Sequence, residues 1–279
     1  MATWLITGCS SGLGRSLAEA VLDAGHNAVV TARNEASVRD LVERYPETAV
    51  PAALDVSDRD QVAEAVRRAE SRFGGVDVLV NNAGYGYRAA IEEGDDPDVR
   101  RLFDTNLFGA VDMIKAVLPG MRARRSGTIV NVSSIGAREC APGSGYYSAS
   151  KAALEAVTES LRKELAPLGV SAMIVEPGGL RTDFSGRSLT QSLQTIADYA
   201  DTAGKRRKET DTAHGKQPGD PERGAAVIVE VVDAGKVPAL LLLGSDAVRG
   251  FRAVQERLQG DVDQWEKASA SVDFASGQG

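Results

Sequence analysis

The chain has 279 residues, 43% of them hydrophobic and 25% charged, with 29 Gly and only 10 Pro, which allows a substantial buried core and excludes collagen-like and wholly disordered classes. Only two His and two Cys occur, His26, His214, Cys9 and Cys140, too widely spaced for a zinc site or a disulfide framework, so no metal is expected. Carboxylates outnumber bases 39 to 32, and the net charge of −7 gives no general attraction for nucleic acid or an anionic membrane.

Short apolar or β-branched runs alternate with longer segments of helical period, the pattern of repeated β-α units around a parallel sheet. Strands are predicted at Thr3 to Thr7, Asn27 to Ala32, Ala49 to Leu54, Val76 to Asn81, Gly127 to Ser133, Val170 to Glu176 and Pro238 to Leu243. Helices are predicted over Leu13 to Ala24, stopped by Gly25, and Ser57 to Phe73, opened by Ser57 and Asp58. Two more cover Val99 to Arg124, with a bend, and Tyr147 to Ala166. From Gly178 to about Pro221 the pattern lapses, and a lid with short helices is expected over 183–221. The run Lys205 to Lys208, beside Glu209 and Asp211, reads as a solvated loop, with contact to an anionic substrate tail as the other reading. The small, polar stretch Ser269 to Gly279 is expected to fray. No leader segment is recognised, and the longest apolar run, Val237 to Leu243, is too short to cross a bilayer, so a reducing, cytoplasmic location is expected.

Between the first strand and first helix lies Thr7-Gly8-Cys9-Ser10-Ser11-Gly12-Leu13-Gly14. Glycines there let the backbone approach a diphosphate, and the helix N-terminus presents free N–H groups to it. Tyr147 and Lys151 are four residues apart, so on a helix they share a face. A phenol titrates near 10 in water, and the charge of Lys151 would stabilise its phenolate, letting Tyr147 exchange a proton with a carbonyl or alcohol oxygen. Tyr146 lies one residue out of register with Lys151 and would point about 100° away. After the second strand stands Arg33 with no acid beside it in Val29 to Asn34. Its guanidinium suits the 2′-phosphate of NADP(H), where an acid would suit NAD; the other reading is an ordinary surface arginine.

The spacing T-G-x-x-x-G-x-G resembles the short-chain dehydrogenase/reductase family, and further matches follow in family order. They are Asn81-Asn82-Ala83-Gly84, Asn106 within Asp104 to Gly109, Asn131-Val132-Ser133-Ser134, Tyr147-x-x-x-Lys151 and Glu176-Pro177-Gly178-Gly179. The resemblance spans most of Thr3 to Thr182. It implies one Rossmann-type, doubly wound α/β domain over about 1–260, with a seven-stranded parallel sheet in order 3-2-1-4-5-6-7 and a helical C-terminal extension over 261–279. It also implies a catalytic set of Asn106, Ser134, Tyr147 and Lys151. Ser134 stands at the family's thirteen-residue spacing before the Tyr, and strand alternation sends Ser133 to the opposite face. Asn106 would hold a water linking Lys151 to solvent.

For the cofactor, the resemblance assigns Gly8, Ser10, Ser11, Gly12, Leu13 and Gly14 to the diphosphate side, and Asp55 and Val56 to the adenine. Asn82, Ala83 and Gly84 line the adenosine ribose side, and Pro177, Gly178, Leu180 and Thr182 run along the nicotinamide with Tyr147 and Lys151. The expected activity is NADP(H)-dependent hydride transfer between nicotinamide and a carbonyl or secondary alcohol. A non-catalytic dinucleotide sensor and a redox-neutral epimerase or dehydratase are the alternatives. The substrate is expected to be a small, largely apolar molecule, and family members commonly form homo-oligomers. Val175 to Asp183 and the lid are similar to the branch that includes steroid and retinoid dehydrogenases, which fixes no substrate. The pocket wall is expected from Tyr85 to Arg88, Ala137 to Tyr146 and Asp183 to Tyr199, where Phe184, Leu189, Leu193 and Ile196 serve as apolar cover or lid packing. Cys9 and Cys140 read as packing or tolerated thiols.

Overall fold

Apolar runs that are buried on both faces become strands of one parallel sheet, because helices must cover each side. In the computed structural model, which describes residues 1–186, 188–213 and 215–274, the chain begins β1 (Thr3–Ile6), α1 (Gly12–Asp23), β2 (Asn27–Ala32), α2 (Arg39–Arg44), β3 (Ala49–Ala53), α3 (Arg59–Phe73), β4 (Val78–Asn81) and β5 (Gly86–Arg88). It continues through α4 (Asp96–Phe103), α5 (Gly109–Arg124), β6 (Gly127–Val132), α6 (Gly136–Glu139), α7 (Gly145–Leu165) and β7 (Val170–Pro177). After β8 (Leu189–Gln191) and α8 (Ala203–Ala213) come α9 (Pro221–Asp233), β9 (Leu240–Leu243) and α10 (Ser245–Ala270).

The main sheet has seven strands in order β3-β2-β1-β4-β6-β7-β9, all neighbours parallel, which is the predicted order once β5 and β8 are set aside. Successive residues of β1 point to opposite sides: Trp4 and Ile6 pack with Leu17, Val21 and Ile228, whereas Leu5 packs with Val66, Leu79, Met113 and Leu161. The strand order reverses between β1 and β4, and in such sheets ligands bind beyond the carboxyl ends at this point.

Several boundaries differ from the sequence reading for identifiable reasons. Asp58 caps α3, accepting from the N–H groups of Asp60 at 3.0 Å and Gln61 at 3.2 Å, while Ser57 stays outside the helix and bonds Asp55. The predicted bend in Val99 to Arg124 is a π-turn over Asp104–Phe108 that joins α4 to α5. Its wider loop turns Asn106 inward, leaving it 1% exposed.

The lid carries more regular structure than expected. β8 pairs in parallel with β5, and Lys205 to Lys208 belong to α8 and not to a solvated loop. Arg207 Nη2 lies 2.6 Å from Glu93 Oε2, and Glu93 also accepts from the N–H groups of Ala90 at 2.9 Å and Ile196 at 2.8 Å. Burial works against the Glu93 carboxylate, yet these bonds hold its pKa below the ordinary value. Helix α10 runs unbroken through position 260, with Leu258, Val262 and Trp265 exposed. Residues 275–279 of the tail expected to fray, together with Arg187 in the lid and His214, lie outside the described residues. No described helix is long and apolar enough to cross a membrane.

A buried polar chain braces the sheet against α7. Asn81 Nδ2 donates to Asn131 Oδ1 at 2.8 Å, and Asn131 Nδ2 donates to Thr158 Oγ1 at 2.7 Å, so β4, β6 and α7 share one network. Asn131→Leu leaves the Asn81 amide only Ala110 O, at 3.3 Å, and should cost about 1–3 kcal/mol in urea unfolding, with Thr158→Val costing less. An Asn131→Leu protein as stable as the wild type would show that the network is dispensable.

Candidate active site

After β1 the chain turns at Gly8, whose φ of +77° suits glycine. The turn is fastened to the exit of β4. The Thr7 hydroxyl donates to Val80 O at 3.2 Å and accepts from the N–H groups of Asn82 and Ala83, both at 2.9 Å. Asn82 Nδ2 donates to Thr7 O at 2.9 Å and Gly8 O at 3.3 Å. Only glycine fits at 14, since a Cβ there would stand 2.4 Å from Gly8 O and 2.3 Å from Asn82 Nδ2. The Ser11 side chain makes no capping bond and the first turn of α1 holds no acid, so the helix N–H groups and its positive end remain available to an anion.

These residues line a cleft of about 600 Å³. Gly8, Ser10, Ser11, Gly12, Leu13 and Gly14 form one wall, Arg33, Asp55 and Val56 follow β2 and β3, and Asn82, Ala83 and Gly84 follow β4. The Ser57 hydroxyl donates to Asp55 Oδ1 at 2.6 Å, which holds the Asp55 carboxyl below its ordinary value, and the Arg33 charge adds to this. Asp55 is thereby turned towards its own loop. A glycine-lined turn, an unpaired helix N-terminus and a cation after β2 fit a phosphorylated dinucleotide. Cys9, buried beneath the turn, donates to Ile6 O, and burial pushes its thiol up to about 12, so it is no nucleophile at neutral pH.

An adjoining pocket of about 170 Å³ shares Asn82, Gly84, Thr182 and Phe184 with the cleft and is lined further by Ser134, Tyr147, Lys151, Pro177, Gly178 and Leu180. Lys151 is 4% exposed and donates from Nζ to Val132 O at 2.9 Å. Burial pushes its pKa down to about 8, against the opposing charge of Glu155 one turn on. A Cβ on Gly84 would sit 3.2 Å from that Nζ and 3.0 Å from Asn106 Oδ1. Asn106 lies behind this wall: Oδ1 accepts from Tyr85 N at 3.0 Å, and Nδ2 donates to Tyr85 O at 3.0 Å and Ser150 Oγ at 3.1 Å.

Tyr147 is buried in the first turn of α7, and its ring lies 5.6 Å from that of Phe184. Burial raises its pKa, while hydrogen bonding with Ser134 and the charge of Arg88 pull it down. Arg88 is thus a cation that acts on the phenol from outside the expected set, while Lys151 lines the same pocket as Tyr147. Ser134 Oγ accepts from Gly136 N at 3.0 Å. The competing residues turn away: Tyr146 donates to Ile91 O at 2.6 Å, and Ser133 donates to Glu155 Oε1 at 2.5 Å. Cys140 is exposed, with a φ of +49°.

Three supporting groups escape local sequence reasoning. Asp246, in the first turn of α10, accepts from Gly179 N at 2.7 Å and so fixes the loop after β7. Glu155 and Glu176 share Arg138, which bonds Glu176 Oε1 at 2.9 Å and Glu155 Oε2 at 3.0 Å; burial raises the pKa of both acids. Arg88 reaches Ser144 Oγ at 2.6 Å from β5. Only Glu155 had a local signal, its place four residues after Lys151 on the same helix face.

A buried phenol, a hydroxyl and an ammonium around one pocket can move a proton to or from a substrate oxygen. The short chain dehydrogenase family model matches residues 2–192. "Oxidoreductase BOA17" of Botryotinia fuckeliana is 37% identical over 268 residues, 95% of this chain and 97% of that protein. A solved short-chain dehydrogenase from Streptomyces avermitilis is 40% identical, covering 98% of this chain and 100% of its own, with a TM-score of 0.91. Two further structures at 26% identity carry nicotinamide cofactors. One is a 3-ketoacyl-(acyl-carrier-protein) reductase from Brucella melitensis complexed with NADH (TM-score 0.72, covering 89% of this chain and 98% of that one). The other is ElxO with NADP bound (TM-score 0.71, 89% and 100%). With the fold, the ordered motifs and the family match in agreement, the chain belongs to the short-chain dehydrogenase/reductase family, the oxidoreductases built on this sheet.

Proposed function

We propose that this protein is an NADP(H)-dependent oxidoreductase that interconverts a ketone or aldehyde and its alcohol, with Tyr147 as the acid and base. The observation that carries the reading is the meeting of Tyr147, Ser134 and buried Lys151 in a pocket that adjoins the glycine-lined cleft. Gly8 to Gly14 and the start of α1 would hold the diphosphate, Asp55 and Val56 the adenine, Asn82 to Gly84 the adenosine ribose side, and Pro177 to Thr182 the nicotinamide side. When bound, the nicotinamide supplies or accepts the hydride.

Burial keeps the Tyr147 phenol protonated at neutral pH, so it can donate to a carbonyl oxygen that gains negative charge. The Ser134 hydroxyl would orient that oxygen and stabilise the charge. Lys151, with a pKa of about 8, is mostly an ammonium at neutral pH and would bind a ribose hydroxyl and help return the proton. Arg33 supports NADP(H), since its guanidinium lines the cleft after β2 and Asp55 is turned towards Ser57. The substrate would be a small carbonyl compound or alcohol lying against Phe184 and Leu180.

A screen of carbonyl compounds by nicotinamide absorbance, with NADPH and NADH in parallel, tests the reading. Tyr147→Phe should lose about 10²–10⁴-fold in kcat while retaining NADPH affinity. Arg33→Ala should raise KM for NADPH about 10–100-fold and leave NADH nearly unaffected, and equal use of both cofactors by the wild type would remove this role for Arg33. Lys151→Met should abolish turnover yet stabilise the protein at pH 7. The folded-state pKa of about 8 lies below the ordinary lysine value of 10.5, so the buried ammonium costs up to about 3 kcal/mol. Wild-type stability should rise with pH between these values, because the unfolded chain binds more protons there, and the gap to the variant should narrow. A variant less stable than wild type at pH 7 would contradict the argument.

A further inference from the structure

Arg88, on β5, is a half-buried cation. Arg15, Arg68, Arg138 and Arg207, also half-buried, each bond a carboxylate. Among the described residues Arg88 has none: its Nη1 donates to Ser144 Oγ at 2.6 Å, and its Nε is buried with no hydrogen-bond partner. Burial lowers its pKa only to about 10, so it stays charged at neutral pH, and Arg206 on α8 is close enough to add like charge. A desolvated guanidinium in this state is costly unless an anion joins it.

Strand alternation shows which way Arg88 faces. Tyr87, between Gly86 and Arg88, is 1% exposed and packs into a core with Leu102. Gly86 and Arg88 therefore share the other face of β5. A Cβ on Gly86 would meet Leu189 Cδ1 at 2.6 Å and Phe184 Cζ at 3.3 Å, and the Phe184 ring lies 5.6 Å from that of Tyr147, tilted by 56°. Ser144, the partner of Arg88, precedes α7 and lies three residues before Tyr147, about 5 Å along the helix axis. The guanidinium thus stands near enough to the Tyr147 phenol for their charges to act on each other, beside the positive end of a 21-residue helix.

We infer that Arg88 and the start of α7 form a carboxylate subsite, and that the substrate is an oxo acid, or the matching hydroxy acid, with its carboxylate a few bonds from the reacting carbon. The inference rests on the oxidoreductase reading and adds a substrate class to it. The apolar contacts of Phe184 and Leu180 would take the carbon chain between the two ends. An anion is selected because the guanidinium offers donors already oriented and desolvated, which a neutral ester cannot satisfy with charge.

The test compares pyruvate, 4-oxopentanoate and 5-oxohexanoate with their methyl esters, using NADPH. The wild type should favour at least one acid over its ester by about 10-fold or more in kcat/KM. That ratio should collapse towards one in Arg88→Gln and recover in part in Arg88→Lys. Equal use of acid and ester by the wild type would overturn the subsite. So would an equal loss on acid and ester in Arg88→Gln together with a shifted pH profile, since Arg88 would then act on Tyr147 alone. Calorimetric titration with unreactive pentanoate, with and without saturating NADP+, separates the two readings. Pentanoate affinity that falls about 10-fold in Arg88→Gln, with no carbonyl turned over, would remove the oxidoreductase reading and keep the subsite. Turnover of neutral carbonyls with no acid preference and no pentanoate binding would do the reverse.

Discussion

Keeping an ammonium group inside a folded protein is the constraint around which the site is arranged. Lys151 has one fixed acceptor, Val132 O at the end of β6, and its charge is otherwise eased only by Glu155 one turn away. Space for Nζ exists because residue 84 is glycine. The neighbouring wall is kept in place by Asn106, which clasps both backbone groups of Tyr85. Each of these contacts comes from a different element, β6, the loop after β4, and the π-turn, so the sheet topology is what makes the burial of Lys151 possible.

The carboxyl ends of parallel strands supply those elements at one edge. Thr7 fastens the exit of β1 to that of β4, Asn81 and Asn131 tie β4 to β6, and Asp246 holds the loop after β7. The same edge therefore presents the glycine turn and, next to it, the pocket of Tyr147, Ser134 and Lys151, with Asn82, Gly84, Thr182 and Phe184 lining both cavities. Beneath the pocket, Glu155, Glu176 and Arg138 form a second buried ionic group, so the floor of the site is polar although the sheet around it is apolar.

The main strands were legible because a parallel strand buried on both faces reads as an apolar run, as Thr3–Ile6 and Asn27–Ala32 do. Tyr147 and Lys151 were legible as a pair because helical spacing alone sets them on one face, and the same spacing separates Tyr146 from them. What escaped depends on contacts distant in sequence. Glu93 and Arg207 are 114 residues apart, so the charge run looked solvated when read locally. β5 and β8 have three residues each, too few for a visible period, and Thr190 meets Gly86 across 104 residues. The bend between Val99 and Arg124 was expected, but its π-turn form was not, since Asp104–Phe108 reads like the helices on either side. Arg88 was legible only as part of the expected pocket wall, because what sets it apart is the absence of a bonded carboxylate among the described residues, a fact of three-dimensional surroundings.

The anchoring of the lid separates two kinds of heritable variation. Its near end is hydrogen-bonded to β5, and Glu93 gathers Ser192, Ile196 and Arg207 from farther along, so both shoulders are tied to the scaffold. Between them the crest is lightly held, with Leu193 fully in solvent. Substitutions on that crest can reshape what the lid covers while Tyr147, Lys151 and the glycine turn keep their positions. A lineage carrying this arrangement can thus vary what the lid covers through exposed crest positions such as Leu193, and Tyr147, Ser134 and Lys151 need not change with them.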